Sequence, residues 1–582
     1  MNIKIAVMKK RYLFLYIVPA IFFFSSCSKK LIEEPKSVLT PAFLSTEQGF
    51  QQGLDAAYSG ARLFWGNQDY FTVTVIGTDE FKRGIDGNSD INNYSSGYTP
   101  STGVVNANWR NAYIFINACN GVIDNAPDVA LPEATKKRMV AEAKFLRANF
   151  YFILVQFFAD VTLNKNFQFE PTTSAKRDPL ADVYNFIVQD LKDAMADLSQ
   201  GAIKDVLPGK ATKAAATHVL AKVYLTRAGS PAAQPTDYED AYNTAKELID
   251  NKAVYGLSLL QDFGKVYEEG NEANSEVIWA VQHTSNLAFN GPNNSGVSNF
   301  NADNVLNHMW VPQYEKQPGM VRTTQYGRPY IRCTPTRWLT DVAFADKTND
   351  TRYGKTFQTV WYANNPDPNG YPKWVDPLPP GAPANAVVGQ PKFAFGDTAI
   401  YMPGFDVSDA QIKASRYLLI PPRKYSNALS PAMFKYFDTK RANLNFPSIR
   451  SVIAYRLGET YLIAAEAAFR TGKLSEAVGY INMIRERAAY PSGDPVAMHI
   501  TEADLSIDFI LTERSRELCG ELMRWLDLVR TGKLVERVTA YNPEAAPNIQ
   551  AKHVLRPIPQ AQLDAVTTDE PYNNSMHFPD WN

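Results

Sequence analysis

The chain has 582 residues, with 59 Lys+Arg against 60 Asp+Glu, 12% aromatic residues and four cysteines. Near-neutral charge with no clustered basic stretch excludes a nucleic-acid binder, whose affinity rests on gathered Lys and Arg. The length is ample for a large hydrophobic core. The sparse cysteines Cys119, Cys333 and Cys519 supply neither a disulfide framework nor a paired zinc motif.

The chain opens with Lys9, Lys10 and Arg11, followed by an apolar run over residues 12–24 that Pro19 interrupts. This run is shorter than the roughly 20 residues needed to cross a bilayer, and it reads as a secretory signal over 1–26. Phe24-Ser25-Ser26-Cys27 resembles a lipobox, which makes Cys27 the expected acylated residue and 27–45 a tether. No later segment is apolar enough to span a membrane.

Helical periodicity follows over 46–63 and 108–123. A run over 134–158 begins after Pro132, and its centre, residues 145–155, is apolar on nearly every face, so other helices must surround it. Further helices are predicted over 180–198, 213–227 and 238–250. Two stretches read as helical hairpins of the tetratricopeptide kind. One joins residues 218–225 to Tyr238, Ala241, Ala245 and Leu248. The other pairs 449–470 with 474–488 around Gly472.

Between about 286 and 445 the character changes. Pro366, Pro368, Pro372, Pro377, Pro379 and Pro380 crowd one stretch, and Trp310, Trp338, Trp361 and Trp374 fall in the same region. Prolines stop long helices, whereas aromatic content opposes disorder, so ordered loops with short strands are expected here. Beyond 446 the helices return. Thr501-Glu502-Ala503-Asp504 resembles a capping box, with its helix expected to run to about Val529. The fold class is therefore mostly α: a scaffold of helix pairs (46–285 and 446–582) carrying an irregular half.

Motif chemistry points away from an enzyme. His-Glu-x-x-His, Gly-x-Ser-x-Gly and Gly-x-Gly-x-x-Gly are all missing, and the six histidines are scattered. A carboxylate pair for glycoside hydrolysis is a spatial feature that the sequence leaves open. The stretch 79–98 gathers Asp79, Arg83, Asn92, Tyr94 and Tyr98, a composition suited to sugar rings, which have apolar faces and polar edges. Tyr94, Tyr98, Trp310 and Tyr314, with Asp79 and Arg83, are the candidate ligand-binding residues. No cofactor is expected. Asp86-Gly87-Asn88-Ser89-Asp90-Ile91-Asn92 spaces oxygens as calcium loops can, but it lacks the terminal glutamate of an EF-hand and reads as an Asx-rich turn.

Several blocks together resemble the SusD/RagB family of outer-membrane nutrient-binding lipoproteins. They are Trp109-Arg110-Asn111-Ala112-Tyr113; Glu142-Ala143-Lys144-Phe145-Leu146-Arg147-Ala148; Lys210-Ala211-Thr212-Lys213 with Leu220-Ala221-Lys222-Val223-Tyr224-Leu225; Arg456-Leu457-Gly458-Glu459-Thr460-Tyr461-Leu462; Glu513-Arg514-Ser515-Arg516-Glu517-Leu518 with Arg524-Trp525-Leu526-Asp527; and Leu555-Arg556-Pro557-Ile558-Pro559. The charged and Trp residues of these blocks are read as scaffold. The resemblance implies tetratricopeptide-like helix pairs and a lipid-anchored protein of the outer membrane facing the exterior. It also implies capture of a glycan, or of a peptide or other nutrient, for a SusC-like TonB-dependent transporter barrel. A carbohydrate-active enzyme and a pure interaction scaffold are the competing readings.

Overall fold

The computed structural model describes residues 41–201, 209–284, 302–567 and Tyr572. The signal, Cys27 and most of the tether lie outside the described residues.

Among the described residues, seven helices of eight residues or more build the first part: α1 (Glu47–Gly60), α2 (Gln68–Val75), α3 (Gly103–Asn125), α4 (Glu133–Phe158), α5 (Leu180–Asp197), α6 (Lys213–Ala228) and α7 (Asp237–Asp250). The Thr46 side chain caps α1 by accepting from the Gly49 N–H at 3.0 Å. The apolar centre of α4 is enclosed as its sequence requires: Phe145, Leu146, Ala148, Phe150, Tyr151 and Leu154 have no exposed surface. It packs between α3 and α5, with α1 alongside. Each such large apolar side chain contributes roughly 1.5–3 kcal/mol by leaving water.

Both expected hairpins are present. In the first, α6 pairs with α7, and Arg227 closes the turn by donating from Nε and Nη2 to Asp237 at 3.0 and 2.6 Å. The second is α8 (Leu457–Arg470) with α9 (Leu474–Ala488), joined at Gly472, whose φ is +78°. The hairpins stack through α7 and α8, although the chain separates them by the whole irregular half.

Two boundaries differ from the sequence reading. Residues 452–456 of the expected helix 449–470 form a strand, Val452–Arg456, antiparallel to Val277–Val281. Its β-branched and aromatic residues pack with the sheet, and the Tyr455 ring stacks on Trp279 at 5.7 Å. The capping box at Thr501 opens only a 3-10 turn. The helix proper, α10 (Ile507–Glu517), is capped by Ser506, and α11 (Arg524–Arg530) is separate. Left-handed Gly520 and Leu522, with φ of +75° and +61°, break the run between them.

The irregular half is ordered. It holds short strands, among them a three-stranded sheet of Val360–Tyr362, Thr398–Tyr401 and Leu418–Leu419. A satellite core of Val311, Tyr314, Trp361, Phe393, Ile400 and Met402 lies beneath it. All four tryptophans of this half are buried, and Trp338 stacks on Tyr541 at 5.1 Å. Cys119, Cys333 and Cys519 are free and buried, and burial pushes each thiol up.

What ties the irregular half to the helices is a buried cluster of ions. Glu517 accepts from Arg352 Nη1 at 2.9 Å and Arg456 Nη1 at 2.6 Å, and it also pairs with Arg487. Glu276 bridges Arg456 and Arg487 at 2.9 Å each, while Arg352 also holds Asp350 and Glu513. Burial alone would raise the Glu517 carboxyl, but Arg487, Arg456 and Arg352 hold it far below the usual range. Removing one member strands the others without water. Glu517→Gln should cost about 3–5 kcal/mol of unfolding free energy in denaturant titration. The exposed Glu268→Gln should change it by less than about 0.5 kcal/mol. Because Glu513 and Glu517 are depressed in the folded chain, their stabilisation is complete above the unfolded carboxylate range of about 4.3 and is lost as pH falls below it. Melting temperature measured from pH 7 down to 3 should fall mainly below that value.

Candidate functional site

The expected ligand residues are spent inside the fold. Tyr94 and Tyr98 are 3% exposed. The Tyr94 hydroxyl donates to the Gly77 carbonyl at 2.8 Å, and its ring packs on His553 at 4.9 Å. Arg556 donates to the Tyr98 hydroxyl at 3.1 Å. Trp310 stacks on Tyr436 at 5.8 Å and meets Phe71 edge-on at 4.9 Å, and Tyr314 donates to the Gly327 carbonyl at 2.8 Å. Asp79 has no exposed surface and accepts from Arg524 at 2.7 and 2.6 Å and from Arg537 at 2.7 Å. Burial would raise its carboxyl, and the two guanidiniums hold it below the usual value. Arg83 is half-buried with Nε 3.5 Å from Glu544. These side chains brace the 79–98 stretch against the C-terminal helices, so the exposed aromatic platform expected there is not present.

The oxygens of the calcium-like run turn onto their own backbone. Asn88 caps the short helix Ser89–Asn93 by accepting from Ile91 N–H, Asp90 accepts from the Ser95 hydroxyl, and Asn92 accepts from Arg83 N–H.

Where this stretch meets the irregular half, a cleft of about 510 Å³ opens. Its walls come from three places: Asn67, Gln68 and Asp69 at the start of α2; Asp86 after the strand Phe81–Arg83; and Arg322, Arg328, Tyr330 and Arg332. Asn67 caps α2 by accepting from Asp69 N–H at 2.6 Å, which sets the carboxyl of Asp69 on the cleft wall. Arg332 locks the walls together, donating to Gln68 Oε1 at 3.1 Å and to the Asp86 carbonyl at 2.5 Å. Arg328 and Arg332 lie over the Tyr330 ring at 5.0 and 5.4 Å, with His308 packed on the same ring at 4.7 Å. Burial, then the charges of Arg441 and Arg328, push His308 down to about 3, so it stays neutral.

Unlike the ions of the scaffold, several groups here have no partner among the described residues. Arg328 makes no ion pair or hydrogen bond, and the carboxylates of Asp69 and Asp86 accept none. Burial raises Asp69 to about 6, against the pull of Arg110. Donors and acceptors therefore stand interleaved around one open space, which suits a ligand with many hydroxyls.

The sequence reading missed these residues. Their signal was the alternation at 328–333: Arg328, Tyr330 and Arg332 are partly exposed, while Pro329, Ile331 and Cys333 point inward.

Comparison with known proteins decides the ancestry. The SusD family profile matches residues 275–570, slightly more than half of the chain. The chain belongs to the SusD family. A second profile, described as starch-binding and associating with the outer membrane, matches residues 35–225. SusD-like protein P2 of Formosa agariphila is 27% identical over 95% of this chain and 97% of its own length. Among solved structures, a laminarin binding SusD-like protein superposes with a TM-score of 0.63, at 24% identity, over 89% of this chain and 98% of that one. A SusD homolog from Bacteroides thetaiotaomicron gives a TM-score of 0.67 at 20% identity, over 91% of this chain and 98% of that one. Those likenesses establish the shared helical scaffold with its irregular half.

The raised carboxyl of Asp69 has a measurable sign. Its folded form binds a proton more readily than its unfolded form, so it is neutral in effect below the unfolded value of about 3.9, weakens the fold progressively as pH rises from there, and does so in full above about 6. Asp69→Asn should therefore raise the melting temperature at pH 7.5, and the difference from the unaltered chain should vanish at pH 3.5.

Proposed function

We propose that this SusD-family chain captures a glycan at the cleft between Asp69, Asp86, Arg328, Tyr330 and Arg332, and hands it to a TonB-dependent outer-membrane barrel. The observation that carries the reading is that Arg328, Asp69 and Asp86 line one open cleft with no ion pair between them among the described residues, whereas Arg147, Arg352 and Arg524 of the scaffold are each paired with a carboxylate. A sugar hydroxyl both donates and accepts, so a single ring can satisfy a guanidinium and a carboxylate at once. The relatives bear on the ligand class: one solved neighbour is named for laminarin, and the N-terminal family profile for starch.

In this reading the chain binds and releases without bond chemistry. The charges at the mouth are held before the ligand arrives: Arg332 is fixed by Gln68 and Asp86, and Arg328 rests on Tyr330. Preorganisation of that kind lowers the ordering cost of binding. Acylation at Cys27 would hold the body at the outer membrane, and a SusC-like barrel would receive the cargo.

Titration calorimetry of the full-length chain in detergent against a panel of polysaccharides, laminarin and starch included, tests the proposal. At least one glycan should bind saturably, and Arg328→Ala and Asp69→Asn should each weaken it tenfold or more with an unchanged fold by circular dichroism. Binding that survives both substitutions would remove this cleft as the site. A panel with no binding glycan would remove the ligand class.

A further inference from the structure

A second cleft, of about 560 Å³, takes part of its lining from the same segment as the first. Gln325 and Tyr326 line it, while Arg322 and Arg328 of the same segment line its neighbour. Tyr326 and Arg328 are two residues apart, so their Cα atoms are separated by at most about 7 Å. The two spaces are therefore near enough for one short linear ligand to reach both.

The chemistry of this cleft differs from that of the first. Its rim carries Tyr362, 51% exposed, and Phe434, 40% exposed, two of the large aromatic side chains that the fold leaves facing water. The backbone N–H of Tyr362 donates to the Tyr326 hydroxyl at 2.9 Å, and the Phe434 ring meets Phe437 edge-on at 5.5 Å. The charged residues of the walls are already matched: Lys355 pairs with Asp262 at 2.7 Å, Lys265 with Glu268, and Arg450 with Glu272. Glu269 accepts from the Thr439 hydroxyl at 2.7 Å. Little net field is left for an ion. One wall residue, Gln358, is 4% exposed; its Nε2 donates to the Val360 carbonyl at 3.1 Å, and its Oε1 has no donor among the described residues. An uncompensated buried acceptor costs about 1–3 kcal/mol, which a hydroxyl donor would relieve.

Exposed aromatic faces, balanced charge and an amide side chain in the wall fit an uncharged sugar ring, whose C–H face lies on an aromatic ring while its edge donates. We propose that this cleft is a second saccharide subsite, which takes an uncharged unit of the glycan chain whose other end is held between Asp69 and Arg328. The inference rests on the glycan reading of the first cleft. It gives the two clefts separate tasks. The first supplies polar recognition, and the second supplies stacking that rewards chain length, because linked units bind as one ligand at high effective concentration.

The test takes the glycan that binds in the panel above, cut to oligosaccharides of two to seven units, and titrates each into the full-length chain. The unaltered chain should bind the longest oligosaccharide at least tenfold more tightly than the shortest. The double variant Tyr362→Ala/Phe434→Ala should lose that gain while binding the disaccharide as before, and Arg328→Ala should weaken both. Both altered rings are exposed, so the melting temperature should hold; Tyr362→Phe, which keeps the ring, should keep the length dependence. A double variant that retains the gain overturns the second subsite and leaves the first cleft standing. A double variant that loses the disaccharide as well makes this cleft the primary site, and equally overturns a division between two. If Arg328→Ala has no effect on either length, the reading of the first cleft is the one that fails.

Discussion

The carboxylate of Glu517 is the point on which the rest of the molecule hangs. It sits at the end of α10 with no exposed surface, and three arginines converge on it from different parts of the chain. Arg352 comes from the irregular half, Arg456 from the end of a strand, and Arg487 from the last turn of α9. Each of the three also holds a second carboxylate, but Glu517 is the one they share, and it could not be buried as an ion without them. An ion cluster of this kind adds little net stability over a packed apolar core, because desolvation offsets most of the attraction. What it adds is exclusivity: any misplacement of one segment leaves a bare charge away from water. In a chain whose second half has few long helices to align it, that penalty selects one placement.

A second set of ions carries the constraint to the site. Arg524 and Arg537, on α11 and the helix Leu534–Tyr541, grip Asp79. Asp79 lies just before the strand Phe81–Arg83, which pairs with Cys333–Pro335. That short sheet joins the two walls of the first cleft: Asp86 leaves one end of its first strand, and Arg332 enters its second. The cleft therefore inherits its geometry from buried charges well away from its mouth, and Arg332 needs only two hydrogen bonds to complete it.

The helices were legible because their signals are local. Residues 134–158 show a long helical run after a proline, with an apolar-rich centre at 145–155, and the structure places α4 at Glu133–Phe158. The two misread boundaries turn on information that is not local. Residues 452–456 form a strand because Val277–Val281, far away in sequence, offers an edge to pair with. The run after Thr501 divides because Gly520 adopts a left-handed turn close against Met433 and Trp310 of the irregular half. The site was harder still. Aromatic composition pointed to Tyr94, Tyr98, Trp310 and Tyr314, and composition does not say which way a ring faces. In a body this large most aromatic residues are needed for the core, and those four are. Two of the rings that meet water, Tyr362 and Phe434, are flanked in sequence by ordinary core residues, Trp361 and Met433, and only the fold separates them.

Charge gives the stronger guide to function once the fold is known. Across the scaffold many buried ions have found a counterion: Arg147 with Asp190, Arg514 with Asp527, Arg530 with Glu466. The same chain leaves Arg328 and Asp69 in one cleft without joining them, at a cost visible in the raised carboxyl of Asp69. Pairing the two, or replacing Asp69 by a neutral residue, would relieve that cost, so the arrangement is not explained by stability. Groups held apart and unsatisfied are what a binding site requires, since a donor already spent on a neighbour must be released before it can hold a ligand. The cleft is thus marked less by which residues it contains than by the hydrogen bonds those residues do not make.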